Sequence, residues 1–389
     1  MRFALTASAL MFGAMTALGA NAASAETKEM TYSSYLPPRH LMNTYGMAPM
    51  FDALEKQGIH FKLLTGGQLF SAQNTLKGIG NRTADAGGPV VTPYTRSDLR
   101  HANIVADLMM MARSPLAMSA AAVDMYLANC PECFQDYRRN GTVYLSGYGV
   151  GGYSLLCNKV VKSMDDAAGK KMRTTGPLGR WAKALGGTPV NMTTGDMVEA
   201  MARGQIDCIV GPVAWLKAYP MADSVKSIYS YNLGSLAGVG LLVMNAKVWD
   251  GLSDDDQRKI WAQQPGGVAR TVLSGYMGDD GRARKLAKQH DIPIYKAEPA
   301  LYDMWREFRK SEYARTIEDA KTLGVKEPEK IADAFLKVLE KWDGLIETAG
   351  LEKMVEDAGD DEAKLTAATR VYEDLIRKNI YDKVDPTKL

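Results

Sequence analysis

Lys171-Met172-Arg173-Thr174-Thr175-Gly176-Pro177-Leu178-Gly179-Arg180-Trp181-Ala182-Lys183-Ala184-Leu185-Gly186-Gly187-Thr188-Pro189-Val190 is the stretch on which the fold turns. Lys171 to Arg173 reads as a strand, Leu178 to Leu185 as a helix with apolar residues at helical spacing, and Thr188 to Val190 as the next strand. A helix between two short strands is the unit of a parallel sheet, because parallel neighbours need a crossover connection. Downstream, Thr194 is placed to cap a helix carrying Met197, Val198 and Met201, closed by Gly204, and Ile206 to Val210 is a further strand.

The same alternation runs earlier in the chain. Met30 to Tyr35 alternates and ends at Pro37-Pro38, since proline cannot donate to a ladder. A helix through Met47, Met50, Phe51 and Leu54 follows, then a strand Ile59 to Leu64, a helix Ala72 to Ile79, and a third strand running through Val90-Val91. Two α/β units, each on a largely parallel sheet, are expected. Thr142 to Leu145 and Tyr153 to Cys157 are strands flanking Gly147-Tyr148-Gly149-Val150-Gly151-Gly152. That run has dinucleotide-fingerprint spacing, but the fingerprint needs a helix straight after the glycines, and Tyr153 to Cys157 is extended. It reads as a crossing between units. Gly240 to Met244 is another strand, and Ser253 with Asp256 forms a capping box before Ile260 and Trp261. The last third is helical, with Ile331, Phe335, Val338, Leu339 and Trp342 on one stripe.

Of the 389 residues, 47 are Lys or Arg and 45 Asp or Glu, a balance that offers nucleic acid no electrostatic footprint. Arg2, the apolar run Phe3 to Leu18, and Ala23-Ser24-Ala25 read as a signal peptide over residues 1–25, so export is expected. In an exported chain the four cysteines are disulfide candidates. Cys130 and Cys133, in C-P-E-C, can close a local bridge, and the helical reading of Asp124 to Leu127 argues against a redox motif there. Cys157 and Cys208 can pair or not. The four histidines show no metal-ligand spacing, and neither a P-loop nor a nucleophile elbow is present. Nothing calls for a metal or a cofactor, and a base–nucleophile pair cannot be named.

A set of ordered stretches resembles the substrate-binding component of tripartite ATP-independent periplasmic (TRAP) transporters, the dicarboxylate-type solute receptors. They are Tyr35-Leu36-Pro37-Pro38-Arg39-His40, Gly66-Gly67-Gln68-Leu69, Leu76-Lys77-Gly78 with Asp85, and Asp165 to Arg173. Leu185 to Val190, Glu199 to Asp207 and the helix start Trp249 to Ile260 follow in the family's order. The resemblance implies an α/β, two-lobed periplasmic binding protein fold with crossing strands and a long connecting helix, here with a helical C-terminal extension. It implies lobe 1 from residues 26–150 plus 236–280, lobe 2 from 151–235 plus 281–310, and an extension over 311–389. It also implies capture of a small organic acid, delivery to integral membrane subunits, a periplasmic location and no enzymatic activity.

In that family an arginine at the position of Arg173 clamps the ligand carboxylate, a task suited to a planar guanidinium with parallel N–H donors. Thr174 and the loop behind it, Tyr35, Tyr94, Tyr148, Gly211 and Trp215 complete the expected site. The chain departs from the family at Gly211, where asparagine is common before the proline, and at Val90 to Tyr94, where some relatives carry charged pocket residues. Both departures remove polar partners, and Tyr153 adds another ring, so an apolar acid or a zwitterion over aromatic faces fits better than a sugar acid. The alternatives are a binding protein of an ATP-driven importer or a sensor, and a secreted enzyme on the same scaffold. Oligomeric state is left open.

Overall fold

The computed structural model describes residues 28–112 and 114–389. The expected signal peptide, residues 1–25, lies outside the described residues. The strands are β1 (Lys28–Ser33), β2 (Ile59–Leu64), β3 (Ala86–Gly87), β4 (Thr142–Tyr148), β5 (Tyr153–Cys157), β6 (Lys171–Thr174), β7 (Thr188–Asn191), β8 (Cys208–Pro212), β9 (Ser227–Leu233), β10 (Val239–Asn245) and β11 (Ile294–Lys296). They form two sheets, ordered β2-β1-β3-β10-β4 and β11-β9-β5-β8-β6-β7, with helices packed around both. This is the two-lobed α/β fold.

Each sheet is mixed rather than largely parallel. β2-β1-β3 and β8-β6-β7 are parallel, as their crossover helices require. β4 and β10, then β5 and β9, pair antiparallel, because the chain leaves the first sheet after β4 and returns to it through β10. The third strand is shorter than expected. Pro89 has no N–H to donate, so regular pairing stops at Gly87 and resumes only as a single bridge between Val90 and Gly240. β9 and β11 lie in stretches that the alternation reading passes over.

β4, β5, β8 and β10 are buried along their whole length, so their faces are covered on both sides. Ser253 caps its helix through Asp256 N–H, as its sequence predicts. Helical residues then run without a break from 254 to 289, with a π-helical segment, Arg270–Met277, in the middle. The first part of this long helix packs on Ala48–Glu55, beside the first sheet. The last part packs on Trp215–Ala218 beside the second, where Lys217 Nζ reaches Asp279 Oδ1 at 3.1 Å. Gly46 permits a close approach to this helix: a Cβ there would lie 2.2 Å from Thr271 Oγ1 in the π segment.

The predicted stripe of helix Pro328–Thr348 is buried, against the all-buried helix Pro115–Asp124. Its Trp342 Nε1 donates to Asp124 Oδ2 at 2.9 Å. The last long helix, Glu362–Asn379, lies along the 254–289 helix, and Tyr372 and Tyr381 donate to the backbone oxygens of Leu116 and Leu145. The extension is therefore built into the first sheet's core. Cys130 is bonded to Cys133, and Cys157 to Cys208.

Candidate functional site

Where the chain crosses between sheets, the strand ends face one another across a narrow cavity. Tyr148 closes β4, Val239 opens β10, Tyr153 opens β5, and Arg173 stands near the end of β6. The wall is aromatic, with Tyr35, Tyr94, Tyr148, Tyr153, Trp215, Tyr219 and Tyr276 around it. Trp215 packs edge-on against Tyr153 and Tyr219, and Tyr148 stacks with Tyr276 at 5.9 Å between centroids. Burial raises the hydroxyls of Tyr35, Tyr148, Tyr153, Tyr219 and Tyr276 above the ordinary phenol range, so none of them carries charge at neutral pH.

Arg173 is the single charged residue of the wall among the described residues, and it is 0 % exposed. Its Nε donates to Met192 O at 3.1 Å and its Nη2 to the Tyr94 hydroxyl at 3.1 Å, the latter a bond from the second sheet to the loop after β3. Its guanidinium carbon lies 5.6 Å from the centre of the Trp215 ring. Among the described residues Nη1 is buried without a hydrogen-bond partner, and the cavity wall holds no carboxylate to pair with the group. A cation held in this way is costly unless an anion joins it.

Five of the seven expected site residues line the cavity: Arg173, Tyr35, Tyr94, Tyr148 and Trp215. Thr174 and Gly211 do not. Side chains alternate along a strand, so Thr174 points away from the face that Arg173 occupies, and Thr175 takes a place in the wall. Gly211 acts from behind: a Cβ there would lie 2.4 Å from Trp215 Cε3, so its absence lets the indole lie flat on β8 and reach Arg173. Thr194, expected as a helix cap, is instead part of the wall, and Asp196 holds the N-cap position. His40, Tyr219 and Tyr276 were not among the expected site residues. His40 stood in a stretch that carried the family resemblance; Tyr219 just follows the short helix Trp215–Ala218 and Tyr276 lies in the π segment, both far along the chain and with no local signal.

The lobes also meet at the rim. Arg180 binds Glu312 through Nε and Nη2, the latter at 2.8 Å, and its Nη1 reaches Asp319 Oδ2 at 3.0 Å. Asp319 lies 3.8 Å from Arg96, whose guanidinium grips Asp107. Helix Pro299–Thr322 thereby ties the residues after β3 to those after β6.

Residues 48–319 match bacterial extracellular solute-binding protein, family 7, the DctP family. The chain belongs to this family. Solved structures agree in fold. A TRAP solute-binding protein from Rhodoferax ferrireducens, in complex with copurified benzoate, superposes with a TM-score of 0.71 at 18% identity, covering 82% of this chain and 99% of that one. A marine-metagenome TRAP protein specific for aromatic acids, in complex with metahydroxyphenylacetate, gives 0.70 at 21% identity over 81% and 99%. One from Bordetella bronchiseptica with bound mandelate gives 0.65 at 20% identity over 81% and 99%. The family match ends at residue 319, ahead of helices Pro328–Thr348, Leu351–Ala358 and Glu362–Asn379.

Proposed function

We propose that this DctP-family protein captures a small organic acid between its lobes and delivers it to the membrane subunits of a TRAP transporter, and that it is not an enzyme. The carrying observation is Arg173: a fully buried guanidinium with a free Nη1, facing an otherwise uncharged aromatic cavity. A carboxylate placed there gains charge-assisted hydrogen bonds and relieves the unpaired cation. No Asp or Glu lines the cavity among the described residues, so a ligand cation would find only ring faces beside a second positive charge. That favours an acid over a zwitterion.

In this reading lobe 1 comprises residues 26–150 plus 236–280 and lobe 2 residues 151–235 plus 281–310, with residues 311–389 as the extension. Arg173 clamps the carboxylate, while Tyr35, Tyr94, Tyr148 and Trp215 cover the ligand body. Closure is favoured by contacts that both sides of the cavity make with the ligand, and the Tyr94 hydroxyl accepting from Arg173 already joins those two sides. The chain is exported through a cleaved signal peptide to the periplasm. The benzoate, hydroxyphenylacetate and mandelate held by structural neighbours support a carboxylate ligand. The test is a thermal-shift screen of the mature protein against mono- and dicarboxylic acids, zwitterions and neutral solutes. Acids should raise the melting temperature; a response confined to neutral or cationic solutes would refute the proposal.

A further inference from the structure

His40 carries a polar contact that the cavity leaves open. It follows Pro37-Pro38, and its backbone is held on both sides: the N–H donates to Pro37 O at 2.9 Å, and the carbonyl accepts from Asn43 and Thr44. The ring is 1 % exposed, forms part of the wall that contains Arg173, and meets the ring of Tyr219 edge-on at 5.4 Å. Its Nδ1 accepts a hydrogen bond from Met42 N–H at 3.2 Å. An imidazole nitrogen that accepts has no proton, so the proton sits on Nε2. Burial holds the ring neutral, with a pKa lowered to about 3. Nε2–H donates to no described residue.

A donor on a cavity wall that no protein group takes up is open to a ligand oxygen in place of water. Arg173 already meets the charged end of the ligand in the proposed reading. A neutral imidazole cannot neutralise a second carboxylate, and no other cation lines the wall among the described residues. We infer that His40 sets the second polar contact, donating from Nε2–H to an uncharged oxygen (hydroxyl, ether or carbonyl) on the body of a monocarboxylic acid. This rests on the carboxylate reading and narrows it: oxygen-substituted monocarboxylates bind in preference to bare monocarboxylates and to dicarboxylates.

The test is calorimetric titration of matched pairs: benzoate with 3-hydroxybenzoate, phenylacetate with mandelate, and isovalerate with 2-oxoisovalerate. It uses the wild type, His40→Phe and His40→Gln. In at least one pair the oxygen-bearing acid should bind roughly tenfold or more tightly. His40→Phe should erase that preference while the bare acid still binds, and His40→Gln, which keeps a donor, should restore part of it. Equal weakening of both members by His40→Phe, or a preference for the bare acid throughout, overturns the inference and leaves the carboxylate site standing. A wild type that binds none of these acids, nor any other acid in the screen, overturns the carboxylate reading itself. Should His40→Phe not fold, nitrogen NMR of histidine-labelled wild type decides: Nε2–H should shift with the oxygen-bearing acid of the preferred pair and not with its bare partner, and an unmoved signal refutes the contact.

Discussion

Replacing Arg173 by methionine separates binding from folding. In the protein the guanidinium makes two hydrogen bonds, to Met192 O and the Tyr94 hydroxyl, and leaves Nη1 without a partner. Methionine fills much of the same volume without charge, so the unliganded fold loses little; exchanging poorly compensated buried charge for apolar volume is often neutral or stabilising. A bound carboxylate fares differently. It enters a cavity with no other cation among the described residues and would be left desolvated and unpaired, at about 2–5 kcal/mol. The dissociation constant should rise roughly 30- to several-thousand-fold. In a melting assay the wild type at 100 times its dissociation constant gains about 2.7 kcal/mol, seen as a shift of several degrees. Arg173→Met should show no shift at that concentration while keeping the wild-type melting temperature within a few degrees. Affinity within threefold of wild type would refute the clamp, and a collapsed melting temperature would show that Arg173 is structural.

Gly211→Ala should push the Trp215 indole off β8, costing about 1–3 kcal/mol through overpacking and weakening acid binding by tenfold or more; unchanged affinity would show that the indole is not part of the ligand wall. Arg180→Met strands Glu312, which is fully buried and keeps only Arg315, so urea unfolding should report a loss of about 3–5 kcal/mol, recovered in part by Glu312→Gln in the same chain. For His40, whose pKa falls to about 3, the unfolded chain takes up a proton between pH 6.5 and 3 that the folded protein refuses. Its stabilising contribution is full above pH 6.5 and shrinks by about 1.4 kcal/mol per unit as pH falls. His40→Gln should remove that slope in urea titrations at pH 6.5, 5.5 and 4.5, and equal slopes would show that the ring is not buried and neutral.

Local pattern carried the architecture because strands and helices announce themselves by period. The β6–helix–β7 unit, the Gly147 to Gly152 crossing and the apolar stripe on Pro328–Thr348 were all legible from residue spacing. The mixed order of the sheets was not, since which strand returns to which edge is set by long-range packing that leaves no mark on alternation. Within the site, Arg173 and Tyr94 lie 79 residues apart, and their hydrogen bond joins the second sheet to the segment after β3, which is invisible to any local window. Tyr219, at the end of the short helix Trp215–Ala218, and Tyr276, in the π segment, enter the wall only through the packing of those helices, so their spacing reads as ordinary core. Thr174 and Thr175 differ by one strand position, which reverses the face, and a short strand's phase is set by its partners. Gly211 showed as a departure from the family, but the indole it admits could be seen only in three dimensions.

The helix spanning residues 254–289 has 36 residues, and Tyr276 stands in its π segment, in the cavity wall. In mechanical terms the helix is a beam across both lobes with its compliant section beside the ligand, since π turns break the regular hydrogen-bond ladder. From Tyr276 the beam extends about 33 Å back to Asp254 and about 20 Å on to Gln289 at 1.5 Å per residue. A bend of about 10° at the fulcrum would carry the Asp254 end roughly 6 Å. The longer arm thus turns a small change of angle beside the cavity wall into a displacement of several ångströms at the Asp254 end.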